Sequence, residues 1–247
     1  MRKTILEVVV GSTLHGTAVQ DGLEDLDIMA VVLEDKTEFV GLYPEDTWTH
    51  RTKPEGVRSE AGDVDHVAYG LRKYLRLAMR GNPTILLALF AKDPFIHVQS
   101  PEGYQLQQMA PYIVSRLAYA PFRGYMKQQH ERLLDVRGQR NVTRPELVEK
   151  YGYDVKYAGH IIRLGLQGQE LLLTGRITLP MPEEQRNLVL GVRTGAYTLH
   201  QVSAMIEDVE KQLQGAGGAS PLQKTPDARH IERWMMDTYL KHWITAG

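Results

Sequence analysis

The pattern of apolar positions divides the chain into a first part with strands and a second part that is helical. Apolar runs predict strands at Ile5–Val10, Ile28–Leu33 and Val64–Ala68. Apolar residues recur at helical spacing through Leu71–Arg80, and Gly81-Asn82-Pro83 is expected to end that helix. Beyond about residue 110 no convincing strand is predicted. The expected fold is α/β (α+β), a small mixed sheet with flanking helices followed by a helical bundle.

Helical periodicity predicts most of the second part in detail. A short buried helix at Thr84–Phe90 comes first, and the glycine-rich segment 215–221 predicts a flexible break. We therefore predict two domains, residues 1–110 and residues 111–247. The helices predicted in the second domain are Ile113–Arg137, Arg144–Lys150, Asp154–Thr174, Glu183–Thr194, Leu199–Gln214 and Asp227–Ile244.

Composition limits the chemistry that the chain can perform. The 247 residues are 43% hydrophobic, which is enough for real cores, and contain no cysteine. Disulfides, thiolate catalysis and cysteine-based zinc sites are therefore excluded. The beginning of the chain lacks a signal-peptide apolar region, and the longest apolar run, Ile85–Ala91, is too short to span a bilayer. We expect a soluble, cytoplasmic protein with no membrane partner.

Charge is unevenly distributed although the net charge is only −1. Residues 1–70 carry 14 acidic and 6 basic side chains, whereas residues 71–247 carry 16 acidic and 23 basic ones. This distribution suits a cation-centred site that meets a polyanion. A chain of this length also shows such asymmetry by chance, so the balance supports that interpretation only weakly.

The most informative motif lies between the first two predicted strands. Gly11-Ser12 follows the first strand, and Asp25-Leu26-Asp27 enters the second. Residues i and i+2 of a strand share a face, so Asp25 and Asp27 present two carboxylates together, an arrangement that favours a hard divalent cation. A phosphate can approach the backbone of the Gly-Ser turn closely and can contact the serine hydroxyl. His15 in the same turn is either a further phosphate contact or simply exposed. The motif points to metal-assisted phosphoryl or nucleotidyl transfer.

A second candidate cluster is a basic stripe on one predicted helix. Lys156, His160 and Arg163 are separated by four and three residues, which places them on one face. Such a stripe can bind a triphosphate or an acceptor phosphate, with arginine offering a bidentate contact. It can equally be an ordinary solvated face, and the spacing alone does not decide between the two.

These motifs resemble the signature of the DNA polymerase β-like nucleotidyltransferase superfamily. That signature is an apolar residue, Gly, Gly or Ser, a spacer, and then Asp-apolar-Asp/Glu-apolar. Further segments are similar to the nucleotidyltransferases of this type predicted in bacteria and phages, and the similarity extends from about residue 5 to residue 200. These segments are Asp65–Tyr74, Gly81–Thr84, Gly124–Met126 and Asp154–Leu164.

The resemblance implies Mg²⁺, with Mn²⁺ as a substitute, held by three carboxylates, and an NTP such as ATP as donor. Asp25 and Asp27 would bind the metal, and the third catalytic carboxylate would be Asp65, with Asp63 as its rival on the same face. The resemblance also favours phosphate binding over a solvated face for the basic stripe. The implied phosphate-binding residues are Gly11, Ser12, His15, Lys156, His160 and Arg163.

The expected activity is that of a nucleotidyltransferase, which moves an NMP from an NTP to an acceptor hydroxyl with release of pyrophosphate. The acceptor is expected to be an RNA or tRNA end, a protein side chain or a small molecule. The alternative is a non-catalytic module on the same fold, such as a nucleotide sensor or a toxin–antitoxin partner. Loss of a carboxylate is typical of such modules, whereas all three candidates are present here.

Overall fold

A mixed five-stranded sheet forms the first part of the computed structural model, which describes residues 2–19, 26–53, 62–134 and 144–245. The strand order is β3-β4-β2-β1-β5. β2 and β4 run parallel, and the other neighbouring strands are antiparallel. The predicted α/β class with a small mixed sheet is confirmed. The strands are β1 (Lys3–Val9), β2 (Leu26–Leu33), β3 (Thr47–Arg51), β4 (Val64–Gly70) and β5 (Ile96–Gln99).

Helices occur between most of the strands along the sequence and form the second part of the chain. Within the described ranges, β5 is the last strand, and helices follow it to Thr245. The α-helices are α1 (Gly11–His15), α2 (Lys36–Val40), α3 (Leu71–Met79), α4 (Leu87–Phe90), α5 (Pro101–Gln108), α6 (Ala110–Ile113), α7 (Tyr119–Leu133), α8 (Pro145–Tyr151), α9 (Val155–Thr174), α10 (Glu183–Arg193), α11 (Leu199–Ala219) and α12 (Ala228–Thr245).

The two faces of the sheet have different surroundings. Along β2, Met29 and Val31 belong to the main buried core, whereas Ala30 and Val32 join a small cluster with Ala68 on the opposite face. The main core is continuous from the strands into α9, α11 and α12. The division into domains at residue 110 remains a prediction. No helix in the described part of the chain is long and apolar enough to cross a membrane.

Helix α9 confirms the helix predicted at Asp154–Thr174. Asp154 caps its first turn, accepting hydrogen bonds from the backbone N–H groups of Lys156 (2.9 Å) and Tyr157 (3.1 Å). Gly175, with φ of 74°, ends it. The helix is therefore fixed at both ends, which holds the face that carries the basic stripe.

Several short elements were not predicted from the sequence. β3 and β5 have five and four residues, mostly half-buried or exposed, so they lack a clear apolar pattern. The predicted helix Ile113–Arg137 is wrong at its start. The chain instead forms a 3-10 turn at Arg116–Ala118, where the Ser115 hydroxyl accepts from the Leu117 N–H at 3.3 Å, and α7 begins at Tyr119.

The predicted break at 215–221 is also wrong over most of its length, because α11 continues through it to Ala219. Glycine here allows close packing rather than a turn: a Cβ at Gly217 would lie 2.8 Å from the Tyr119 ring. Ala216 is buried, and the Ser220 hydroxyl donates to the Leu172 carbonyl at 2.5 Å. Tertiary contacts therefore override the low helix propensity of glycine.

Candidate functional site

Two of the three predicted carboxylates lie side by side on neighbouring strands. Asp27 on β2 and Asp65 on β4 are direct partners in the parallel ladder. Residues in register on adjacent strands point to the same face, so the ladder brings both carboxylates to one side of the sheet. The Asp65 carboxylate also lies 3.5 Å from Arg51 Nε on β3. The remaining predicted carboxylate, Asp25, lies outside the described residues.

Asp63, the rival to Asp65, has a different set of contacts. Its carboxylate accepts from the Thr52 hydroxyl at 2.9 Å and lies 3.2 Å from Lys53 Nζ. Its backbone carbonyl accepts from the Leu26 N–H at 2.8 Å. Asp63 therefore lies two residues before the position that pairs with Asp27. Because Asp65 occupies that position, the strand register favours Asp65 as the third carboxylate.

The predicted Gly-Ser turn packs directly on Asp27. Gly11 has φ of 68°, and a Cβ there would overlap the Asp27 carboxylate. The backbone conformation and the close approach therefore both require glycine. Contrary to the predicted open turn, residues 11–15 form the short helix α1, which places His15 in the protein interior with 3% of its surface exposed.

A cavity of about 220 Å³ brings most of the predicted site residues together. One wall comes from the turn after β1 and from β2, and the other comes from α9 and α10. Asp65 does not line the cavity, although its ladder partner does. The lining residues are Gly11, Ser12, His15, Thr17, Asp27, Lys156, Gly159, His160, Arg163, Val189 and Arg193.

A chain of hydrogen bonds holds the cationic wall in place. Arg163 donates to Gln167 Oε1 at 2.8 Å and to His160 Nε2 at 3.0 Å. Gln167, which is buried, donates from Nε2 to His15 Nδ1 at 3.1 Å. Arg163 has no carboxylate partner among the described residues. Within that part of the chain its charge is therefore oriented but not neutralised, which is the arrangement that an anionic ligand would complete.

Burial and neighbouring cations keep both histidines of this network neutral. Burial, with Arg163 and Lys156 nearby, lowers the pKa of His160 to about 2. Burial also lowers the pKa of His15 well below 6.5, with Arg163 as the next cause. The pKa of Arg163 falls to about 10, through burial and then Arg193. Neutral imidazoles can accept the hydrogen bonds observed here, while Arg163 stays charged at neutral pH.

Arg193 at the end of α10 is a site residue that the sequence did not indicate. Its guanidinium donates to the Thr17 carbonyl, and its side chain crosses Gly159, where a Cβ would lie 2.6 Å from Arg193 Cγ. Arg193 thus links α10 to the segment just after α1, the helix that carries His15. The helix was predicted, but a basic residue in a last helical turn is common and carries no specific signal.

A larger cavity, about 350 Å³, lies between α7 and α11. It is lined in part by Tyr119, Met126 and Leu213, with a His130–Glu210 pair at 3.5 Å. None of the predicted site residues reaches it. The candidate site is therefore the smaller cavity, where carboxylate and cationic groups face each other.

The donor chemistry of the carboxylates fits Mg²⁺. Asp27 and Asp65 carry carboxylate oxygens on adjacent strands, and hard divalent cations prefer such oxygens. The described residues contain no group of three or more His, Asp or Glu side chains placed to hold a metal ion, and Asp25 is not among them. The fit thus rests on the two described carboxylates.

The Gly-Ser turn packed on a strand aspartate agrees with the arrangement expected of a polymerase β-like nucleotidyltransferase. The chain matches the RlaP family, described as the RNA repair pathway DNA polymerase beta family, over residues 2–237. It belongs to that family. Family membership supports nucleotidyl transfer as the general activity.

Other comparisons add little. No curated protein matches the sequence. Among solved structures, a nucleotidyltransferase-like protein from Exiguobacterium sibiricum 255-15 is similar, with 13% identity and a TM-score of 0.34, over 87% of this chain and 71% of the other. A TM-score this low adds nothing to the family assignment.

Proposed function

We propose that the protein transfers an NMP from an NTP to an acceptor hydroxyl on RNA, with release of pyrophosphate. The observation that carries this proposal is the cavity, which has Asp27 and the Gly11-Ser12 turn on one wall and Arg163 and Arg193 on the other. A carboxylate on one wall and several cationic side chains on the other suit a metal-bound triphosphate. RNA is favoured among the possible acceptors because the family is described by an RNA repair pathway.

The cationic wall would bind the leaving part of the nucleotide. Arg163 is held by Gln167 and His160, so its guanidinium keeps one orientation before a ligand arrives. Arg193 and Lys156 line the same cavity. Charge develops on the pyrophosphate as it departs, and fixed cations stabilise that charge without reorganisation. Positioning and electrostatics would therefore provide most of the rate.

Asp25, Asp27 and Asp65 would hold Mg²⁺ or Mn²⁺, which when bound neutralises phosphate charge and lowers the pKa of the acceptor hydroxyl. The acceptor oxygen forms a bond to the α-phosphorus, and the bond from that phosphorus to the bridging oxygen breaks. The hydroxyl proton passes to the Asp65 carboxylate and then to solvent. Asp65 suits this role because it lies beside Asp27 but does not line the cavity that would hold the triphosphate.

The proposal is tested by incubating the protein with each NTP labelled in the α-phosphate, with Mg²⁺ or Mn²⁺, and with RNA as acceptor. Label should move into RNA, and Asp27→Asn should abolish the transfer. Asp208→Asn, an exposed aspartate on α11, is the matched control and should keep full activity.

Parallel reactions contain the protein alone or a cell extract without its RNA. Label in protein or in a small product would contradict the RNA acceptor while leaving nucleotidyl transfer intact. Tight NTP binding without transfer to any acceptor would contradict catalysis and favour the non-catalytic module.

A further inference from the structure

An apolar ridge runs along the outer side of α12. Met236, Leu240 and Ile244 follow each other at intervals of four residues, and they are 54%, 51% and 78% exposed. The opposite side of the same helix is buried through Ile231 and Tyr239. The helix is thus already docked on the protein, and the ridge is a second apolar side that points to solvent.

The loop that follows α2 extends this apolar surface. Val40, Leu42 and Tyr43 are 71%, 93% and 90% exposed. The residue just before them, Phe39, contacts α12, with its ring centroid 4.7 Å from that of Tyr239. The loop therefore begins directly after a residue that packs on α12. We call the six exposed residues the α12 surface: Val40, Leu42, Tyr43, Met236, Leu240 and Ile244.

Hydrogen bonds and aromatic contacts hold α12 against the rest of the protein. The Tyr239 hydroxyl donates to the Glu34 carboxylate, and the Trp243 indole N–H donates to the Glu34 carbonyl at 2.9 Å. Phe39 and Trp243 add an edge-to-face contact with centroids 5.2 Å apart. A ridge held in this way presents a fixed shape, and contiguous apolar surface of this kind marks an interaction site.

We propose that the α12 surface binds a second copy of the chain, with the two α12 helices packed antiparallel across a two-fold axis. The ridge is convex and has the i±4 spacing of a helix-packing row. Two identical rows of this kind interlock at a crossing angle of about −50°. A two-fold axis near Leu240 uses the same surface on both copies, as a closed dimer requires.

Charges beside the ridge select the antiparallel orientation. Asp237 and Lys241 are both exposed and lie four residues apart, on the same flank of the ridge. In an antiparallel pair, Asp237 of one copy faces Lys241 of the other, and the contact occurs twice. In a parallel pair, the two-fold axis runs along the helices and places this flank on opposite sides of the contact, so Asp237 and Lys241 of the two copies do not meet.

A third charge agrees with the same orientation. Arg233 is exposed and lies four residues before Asp237, in the same row of the helix as Asp237 and Lys241. With the axis near Leu240, Arg233 of one copy lies opposite the last turn of α12 in the second copy. A cation stabilises the C-terminal end of a helix, where carbonyl groups concentrate negative charge. Ridge and charges are thus self-complementary, which an unrelated partner would not need.

The mass of the full chain in solution tests the proposal, by analytical ultracentrifugation over a series of concentrations. The wild-type chain should reach twice the mass of one chain. Leu240→Glu should raise the dissociation constant roughly tenfold or more. Leu173→Glu is the matched control: Leu173 on α9 is 41% exposed, lies outside the α12 surface, and should leave the dimer unchanged. Circular dichroism checks that each variant is folded.

A charge exchange tests the orientation. Asp237→Lys and Lys241→Asp should each weaken the dimer, and the double variant should restore it, because the exchanged pair is again opposite in sign. A chain that stays monomeric throughout, or a Leu240→Glu variant that stays dimeric, would overturn the proposal. Single exchanges without effect would overturn the antiparallel arrangement. These measurements read mass rather than turnover, so they do not depend on the proposed function.

Discussion

Asp27 on β2 and Asp65 on β4 are paired directly across the parallel ladder of the sheet. The pairing explains how residues 38 positions apart in the sequence come to share one site. Asp27 also packs against Gly11, so the carboxylate pair lies next to the turn that forms part of the cavity wall. The arrangement makes the roles of individual aspartates open to direct test.

Asp65→Asn should reduce nucleotidyl transfer far more than Asp63→Asn. Loss of the group that accepts the hydroxyl proton costs roughly 10²–10⁴-fold in rate. Asp63 instead holds Thr52 and Lys53, so its replacement should act mainly on stability. Turnover and urea unfolding measured on both variants separate these effects. Equal loss of turnover in the two variants, or a larger loss in Asp63→Asn, would reverse the assignment.

Arg163→Gln should weaken NTP binding about tenfold, because one hydrogen bond to a charged group contributes about 1.5–3 kcal/mol. The folded protein should keep or gain stability, since Arg163 is a partly buried cation without a carboxylate partner in the described structure. Titration calorimetry with an NTP and thermal unfolding measure the two effects.

Arg176→Gln changes an exposed arginine in the loop after α9 and serves as the control for Arg163. It should alter neither NTP binding nor stability. If Arg163→Gln bound NTP as tightly as wild type, Arg163 would not contact the triphosphate.

Gly159→Ala should imitate Arg193→Ala. The added methyl group would lie 2.6 Å from Arg193 Cγ and displace that side chain from the Thr17 carbonyl. Both variants should raise the KM for NTP, and the double variant should be no worse than either single one, because the two changes remove the same interaction. Kinetic comparison of all four proteins gives the coupling energy.

Gly124→Ala is the matched control for this series, since Gly124 lies on α7 with open space around it. A methyl group there should leave KM unchanged and stabilise the helix by about 0.5–1 kcal/mol. Additive effects of Gly159→Ala and Arg193→Ala would show that Gly159 acts independently of Arg193.

Stability should fall as the pH decreases below about 6.5. His15 and His160 have folded-state pKa values below 6.5, so the unfolded chain takes up protons that the folded protein does not. Their contribution is fully present above the unfolded pKa and is lost as the pH falls toward the folded one. Each histidine adds at most about 1.4 kcal/mol per pH unit to this slope.

Urea unfolding at pH values from about 5 to about 8 measures this slope, since the midpoint tracks the free energy of unfolding. His160→Gln should make the slope shallower, and His200→Gln, which changes an exposed histidine on α11, should not. An unchanged slope in His160→Gln would mean that His160 is protonated in the folded protein.

The sequence was sufficient for the elements with strong patterns. The apolar runs of β1 and β2 and the capped, periodic α9 follow from residues that lie within them, and so does the grouping of Gly11 and Ser12 with Asp27. Short edge strands such as β3 lack an apolar pattern, so their positions depend on the neighbours that they pair with. Local sequence does not contain that information.

The parts of the site that could not be predicted depend on contacts between distant segments. Arg193 reaches Thr17 only because α10 packs across Gly159 on α9. Gln167 joins the hydrogen-bond chain because it is one turn beyond Arg163 and faces His15. Similarly, the glycines near the end of α11 predict a break in the helix, although Gly217 in fact allows the helix to approach Tyr119.

The fate of the two ends of the triphosphate tests nucleotidyl transfer most directly. One NTP preparation carries label in the α-phosphate and another carries it in the γ-phosphate, and each is incubated with RNA, Mg²⁺ and the wild-type chain. Label from the α-phosphate should enter RNA, while label from the γ-phosphate should appear only in pyrophosphate. Label from the γ-phosphate in RNA would indicate phosphoryl transfer instead and would contradict the proposed reaction.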